Sequence, residues 1–331
     1  MVLTMIIAPD DAGRRLDRLL RKALPELPLS AVHRLLRKKQ IRVDGMPGEA
    51  SVRPGAGSII TIPKEAAPVS PTSPRGYEPR GPVPILWEGT GVLAVNKPAG
   101  LAVHGPGSLE AMVRSYLAER LPPSLSFRPG PIHRLDTPTS GIILFSTTLK
   151  GAQYCSALIR ERQVKKQYLA LVDGNLSAPG RWEDLLIRDR NIRKTRVSEE
   201  PHEAAQDAET AVFPLASTAK CSLILAAIST GRTHQIRAQA AFHGHPLAGD
   251  RKYGGSFQPG GFLLHAYTLE FPVTQDTKEM GLPEILKAPL PDAFRLRIGA
   301  LFGPASGFNA REGLWQEEKG APWARDLCRV N

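Results

Sequence analysis

The stretch PIHRLDTPTSG, residues 131–141, sets one carboxylate, Asp136, two residues after Arg134 and directly before a Thr-Pro-Thr-Ser-Gly run. Extended chain repeats its side chains every two residues, so Arg134 and Asp136 share a side. Taken alone, Asp136 reads as a cap or turn residue, because Asp is favoured ahead of Thr, Ser and Gly. With basic and aromatic partners it reads instead as a catalytic carboxylate. Tyr168, in KKQYLALVDG, lies in an alternating strand pattern that also fits an ordinary sheet-face aromatic. A third cluster is GRTHQIRAQAAFHGHPLAGD. There His243 and His245 resemble a metal pair without a nearby third ligand, so core or hydrogen-bonding roles are expected and no metal. Arg232 and Arg237, five apart on one expected helix, do not share a tight face; one can enter a cleft while the other holds the helix to its neighbour.

These residues must be carried by elements that the hydrophobic pattern outlines. Residues 1–63 read as a small α/β unit. A strand at its start precedes a helix with Leu16, Leu19 and Leu20 on one face, which Asp10 or Asp11 is expected to cap. A second helix carries Val32, Leu35 and Leu36 with Ser30 as its expected N-cap, and short strands with Asp-Gly and Pro-Gly turns follow. Residues 64–82, rich in Pro, Ser and Gly, read as a linker. Residues 83–301 alternate strands (GVLAVNKPAG, GIILFSTT, KKQYLALVDG, CSLILAAIST, FLLHAYTLEFPV) with helices (SLEAMVRSYLAERL, LKGAQYCSALIRERQ, RTHQIRAQAAFHG). Strands dominate and connections are irregular, so the fold class is α+β with a large mixed sheet. Residues 302–331 lose the pattern and read as an exposed tail.

Of 331 residues, 43 are Lys or Arg and 32 are Asp or Glu, a net charge of +11 that favours a polyanionic partner. The basic residues concentrate in the first helix pair, at Arg14, Arg15, Arg18, Arg21, Lys22, Arg34, Arg37, Lys38, Lys39 and Arg42, opposed only by Asp17 and Glu26. A one-signed excess on two helices points to phosphate contact, although a charge run can also be a solvated face. No apolar run suits a membrane span, and the N-terminus lacks the features of a signal peptide. Three scattered cysteines suggest a reducing, cytoplasmic setting. There is no GxxxxGK[ST] loop, GxGxxG, HExxH or GxSxG, so no cofactor is expected.

Together, VNKPAGLAVHG, HRLDTPTSGIILFS, KKQYLALVDG, GRTHQIRAQAAFHGHPLAGDRKYGG and LLHAYTLEFP resemble, in order, the motifs of the RluA family of RNA pseudouridine synthases. The resemblance covers about residues 85–272, and APLPDAF looks like the family's closing segment. It implies a large, mostly antiparallel mixed sheet with flanking helices and a central cleft. The first 63 residues resemble the alpha-L RNA-binding module that many members carry. The family's reaction turns uridine in RNA into pseudouridine. The resemblance makes Asp136 the catalytic carboxylate, as nucleophile at the anomeric carbon or as base at the neighbouring ribose carbon. It makes Arg237 the arginine paired with it, Tyr168 the tyrosine against the base, and Arg134 the residue replacing the extruded base in the stack. Thr137 and Pro138 stand where relatives often have Arg-Asp, which stiffens the turn.

The resemblance is strongest to members of the RluC type, which act on large-subunit ribosomal RNA; transfer-RNA enzymes share the catalytic motifs. A non-catalytic RNA-binding or assembly factor would keep the basic module, and a nucleoside hydrolase would use similar carboxylate chemistry. A monomer is expected, since the charge pattern shows no self-complementary patch.

Overall fold

The computed structural model describes residues 2–64, 81–121 and 124–303, with the strands Phe308–Asn309 and Leu314–Trp315. Most of the expected linker and C-terminal segment, and Cys328, lie outside the described residues. The last two strands pair antiparallel, where the sequence pattern suggested only a tail.

The N-terminal unit contains β1 (Val2–Ile6), α1 (Leu16–Ala23), α2 (Leu29–Arg37), β2 (Arg42–Val43), β3 (Met46–Pro47) and β4 (Ile59–Pro63). Its strands form an antiparallel sheet in the order β1-β4-β2-β3. Leu16, Leu19 and Leu20 of α1 and Val32, Leu35 and Leu36 of α2 are buried in one cluster with Ile41, Ile60 and Ile62. Each such side chain contributes roughly 1.5–3 kcal/mol by leaving water, which holds two short helices that would not persist alone.

Neither expected cap forms. Pro28 precedes α2, placing Ser30 inside the helix, and α1 follows Arg15 without a side-chain cap. Asp10 and Asp11 instead reach the following domain. Asp11, fully buried, accepts hydrogen bonds from Ser124 Oγ (2.8 Å), Leu125 N (2.7 Å), Ser126 N (2.9 Å) and Ser126 Oγ (2.6 Å). Arg14 Nη1 donates to Ser126 Oγ at 2.7 Å, and Leu125 packs against the N-terminal core. Asp10 accepts from Leu149 N at 2.9 Å. The reason is geometric: a 3-10 turn at Pro9–Asp11 carries both aspartates away from the start of α1.

The following domain contains β5 (Ile85–Gly89), β6 (Val92–Lys97), α3 (Leu109–Ala118), β7 (Gly130–Pro131), β8 (Ser140–Ser146) and α4 (Leu149–Arg160). Next come β9 (Lys165–Asp173), β10 (Gly180–Asp189), β11 (Lys194–Ser198), β12 (Gln206–Ser217), β13 (Cys221–Ile228) and α5 (Gln235–Phe242). It closes with β14 (Leu264–Glu270), α6 (Gln275–Glu279), β15 (Ile285–Lys287) and α7 (Asp292–Phe302). Eleven strands form one sheet ordered β11-β10-β12-β13-β9-β14-β8-β6-β5, with β15 beside β14 and β7 beside β8. Its pairings are antiparallel except β14–β8. This is the mixed, mostly antiparallel α+β arrangement that the sequence suggested.

Strand β8 is buried on both faces. Ile143 and Phe145 join the core beneath α3, while Ile142 and Leu144 meet Cys155 and Leu158 of α4. That explains its continuous rather than alternating apolar run. At the parallel seam, Gly141 pairs with Ala266 at φ +109°, and a Cβ there would lie 2.2 Å from the Ala266 carbonyl oxygen. Only glycine allows the two strands to meet so closely.

Asp11→Ala leaves two amides and two hydroxyls without their acceptor. It should lower stability by about 3 kcal/mol, read as a lower urea midpoint, with faster hydrogen exchange at Leu125 and Ser126.

Candidate active site

Asp136 lies between β7 and β8, in a turn closed by Thr139 N donating to the Asp136 carbonyl at 3.0 Å. The turn is shorter than the sequence suggested, because Ser140 and Gly141 already belong to β8. Three anchors hold it. His133 Nε2 accepts from Leu144 N at 3.0 Å, and Ser140 Oγ meets His265 Nδ1 at 2.8 Å. The fully buried Lys97 donates from Nζ to the carbonyls of Thr137 (3.0 Å), Leu101 (2.7 Å) and Pro98 (3.0 Å). Burial lowers the Lys97 pKa to about 8, opposed by the Asp136 charge. The ammonium thus ties the NKPAG loop to the turn that carries Asp136.

Arg237, from α5, is the centre of the site. Its Nε and Nη2 form a fork with Asp250 at 2.6 and 3.0 Å, and Nη1 donates to Asp136 Oδ2 at 3.1 Å. The guanidinium lies 4.9 Å from the Tyr253 ring centroid and 4.6 Å from that of Phe262. Burial works to lower the Arg237 pKa, but Asp250 and Asp136 outweigh it and hold the group charged. Because the fork goes to Asp250, Asp136 accepts one hydrogen bond from Arg237 at Oδ2, and Oδ1 has no hydrogen bond among the described residues. A carboxylate so held is oriented without being fully neutralised.

Tyr168 stands on β9 between Ala226 of β13 and Ala266 of β14. A cavity of about 90 Å³ opens there, lined by Asp136, Arg134, Tyr168, Arg232, His234 and Arg237 among others. Burial, with help from Asp136, raises the Tyr168 pKa, so its hydroxyl is a neutral phenol. Arg134 is exposed at the rim. Asp136, Tyr168, Arg237 and Arg134 therefore share one pocket.

The basic residues of the N-terminal unit divide. Arg14 is used at the domain contact, and Arg15 pairs with Asp17 at 2.8 Å. Arg18, Arg34, Arg37, Lys38 and Lys39 are exposed, without a protein partner among the described residues. Helix α5 begins at Gln235, later than expected, leaving Arg232 before it with Nε on the Asp207 carbonyl at 3.0 Å. His243 stacks on Trp182 and meets Asp184 at 3.0 Å; His245 meets the Asp173 carbonyl at 3.0 Å. Sequence reasoning passed over Lys97, His234, Asp250 and Tyr253. His234, Asp250 and Tyr253 lie in the polar-rich GRTHQIR and GDRKYGG segments, and Lys97 in the NKPAG loop.

The profile described as RNA pseudouridylate synthase matches residues 91–242. Ribosomal large subunit pseudouridine synthase C of Vibrio cholerae is 31% identical over 301 residues, covering 87% of this chain and 94% of that protein. The protein of the same name from Salmonella typhi is 33% identical over 307 residues, covering 85% and 93%. Among solved structures, human RNA Pseudouridylate Synthase Domain Containing 4 superposes with a TM-score of 0.54 at 25% identity, covering 66% of this chain and 92% of that one. Human RNA Pseudouridylate Synthase Domain Containing 1 shares the fold, with a TM-score of 0.55 at 22% identity and coverage of 77% and 98%.

His133 and His265, which anchor the turn, both have pKa values lowered to about 4, chiefly by burial. The unfolded chain binds these protons near pH 6.5 and the folded one only near pH 4. Their contribution to stability is therefore complete above about pH 6.5 and is lost as pH falls towards 4. The urea midpoint should be lower at pH 4.5 than at pH 7.5, and the drop should shrink in His265→Asn.

Proposed function

Because the chain belongs to the RluA family of RNA pseudouridine synthases, we propose that it isomerises uridines of large-subunit ribosomal RNA with Asp136 as the catalytic carboxylate. The observation that carries this reading is the Arg237-held carboxylate in one pocket with Tyr168, its Oδ1 without a hydrogen bond among the described residues. The RNA assignment draws on the names of the relatives and on the net charge of +11. The same reading places the protein in the cytoplasm as a monomer. Among the described residues no helix is long and apolar enough to cross a membrane.

Pseudouridine is an isomer of uridine, so atoms and electrons balance without a co-reactant. The N1 bond to the anomeric carbon breaks, the base turns, carbon 5 bonds to the same ribose carbon, and the carbon 5 proton leaves as N1 is protonated. Asp136 Oδ1 serves either as nucleophile at the anomeric carbon or as base at the neighbouring ribose carbon. Both roles need the target base out of its stack. Arg134, planar and exposed at the rim, fills the vacated position. Tyr168, as a neutral phenol, forms the wall against which the base packs. The N-terminal unit supplies phosphate contacts through Arg18, Arg34, Arg37, Lys38 and Lys39, which give affinity and orientation rather than base choice.

Asp136→Asn should abolish pseudouridine formation while RNA binding persists. Mapping pseudouridine in total RNA from a deletion strain, complemented with wild type or Asp136→Asn, reads this directly. Loss of sites in transfer RNA alone would redirect the substrate. Full modification with Asp136→Asn would favour a non-catalytic assembly factor. Replacing Arg34, Arg37, Lys38 and Lys39 together by alanine should weaken RNA binding and reduce the slope of log K against log salt by about 3.

A further inference from the structure

His234 sits directly before α5 with φ of +55°, a conformation that L residues seldom adopt. Its ring lines the Asp136 pocket, with Nε2 3.6 Å from Asp136 Oδ2. Its Nδ1 lies 2.8 Å from the Tyr253 hydroxyl, which accepts the Thr195 amide of β11 at 3.0 Å.

This chain of contacts decides a tautomer. The Tyr253 oxygen takes the Thr195 N–H, and among the described residues its single proton has one acceptor in hydrogen-bond reach, His234 Nδ1. A neutral ring that accepts at Nδ1 carries its hydrogen on Nε2. The ring is kept neutral: burial lowers the His234 pKa to about 4, with Arg237, Arg188 and Lys252 adding to that and Asp136 opposing it. Burial also raises the Tyr253 pKa, which keeps the phenol protonated. Two donors, Arg237 Nη1 and His234 Nε2, therefore converge on the same oxygen of Asp136.

We infer that His234, held by Tyr253 with its hydrogen on Nε2, is a positioning residue that turns Asp136 Oδ2 inward and presents Oδ1 to the ribose. At 3.6 Å the Nε2–H is one small shift from a direct hydrogen bond, and substrate filling the pocket supplies that shift. The αL backbone at His234 is what aims the ring at the carboxylate rather than at solvent. The inference rests on the reading of Asp136 as the catalytic carboxylate.

The test uses the full chain with transcribed large-subunit ribosomal RNA tritiated at uridine carbon 5, following tritium release. His234→Gln, whose amide nitrogen reaches the place of Nε2, should keep kcat within about threefold. His234→Asn and His234→Ala should lose about 10- to 100-fold in kcat, with KM and the melting temperature little changed. Tyr253→Phe, which keeps the ring against Arg237, should lower kcat about tenfold in the wild-type background and not at all in His234→Gln. Wild-type kcat in His234→Ala, or equal losses in the Gln and Ala variants, would overturn the inference. Asp136→Asn separates the two readings: if it remains active the carboxylate reading fails, and if it is inert while His234→Ala is fully active only the positioning role fails.

Discussion

The site depends on how one guanidinium is shared. Arg237 is buried, so its charge is sustained by two carboxylates and the faces of two rings. Asp250 takes the two-pronged contact, and Asp136 takes one N–H of Nη1. Removing Asp250 would strand a buried cation, at a cost on the order of 3–5 kcal/mol. Dividing the arginine unequally leaves Asp136 oriented through Oδ2 alone, with no hydrogen bond to Oδ1 among the described residues.

The sheet provides the frame for that arrangement. Its parallel seam between β8 and β14 brings the turn after β7 beside the middle of β9, so Asp136 and Tyr168 meet although 32 positions apart. The seam closes because residue 141 is glycine. Lys97, His133 and His265 then fix the turn from below. All are polar groups in buried or confined settings with their partners supplied, which favours a single turn geometry over a mobile one.

Much of the architecture was legible along the chain. Strands β6, β8, β9, β13 and β14 and helices α3 and α4 follow their apolar patterns, since burial on one or both faces sets the pattern directly. Local end signals served less well. Asp10, Asp11 and Ser30 have the chemistry of helix caps, yet the Pro9–Asp11 turn sends the aspartates to another domain and Pro28 starts α2 early. Helix α5 starts later than the RTHQIRAQAAFHG pattern suggests because His234 holds a left-handed conformation that composition does not reveal.

By itself, the sequence determined the α+β class, the enzyme family and the candidate residues Asp136, Tyr168, Arg237 and Arg134, because motif order and residue chemistry are properties of the chain. Tertiary structure alone decided that Arg237 is chiefly the partner of Asp250, that Arg14 serves a domain contact, and that the Tyr253 hydroxyl lies 2.8 Å from His234 Nδ1. Those facts depend on which polar atoms are brought within about 3 Å of one another after burial, and spacing along the chain carries no such information.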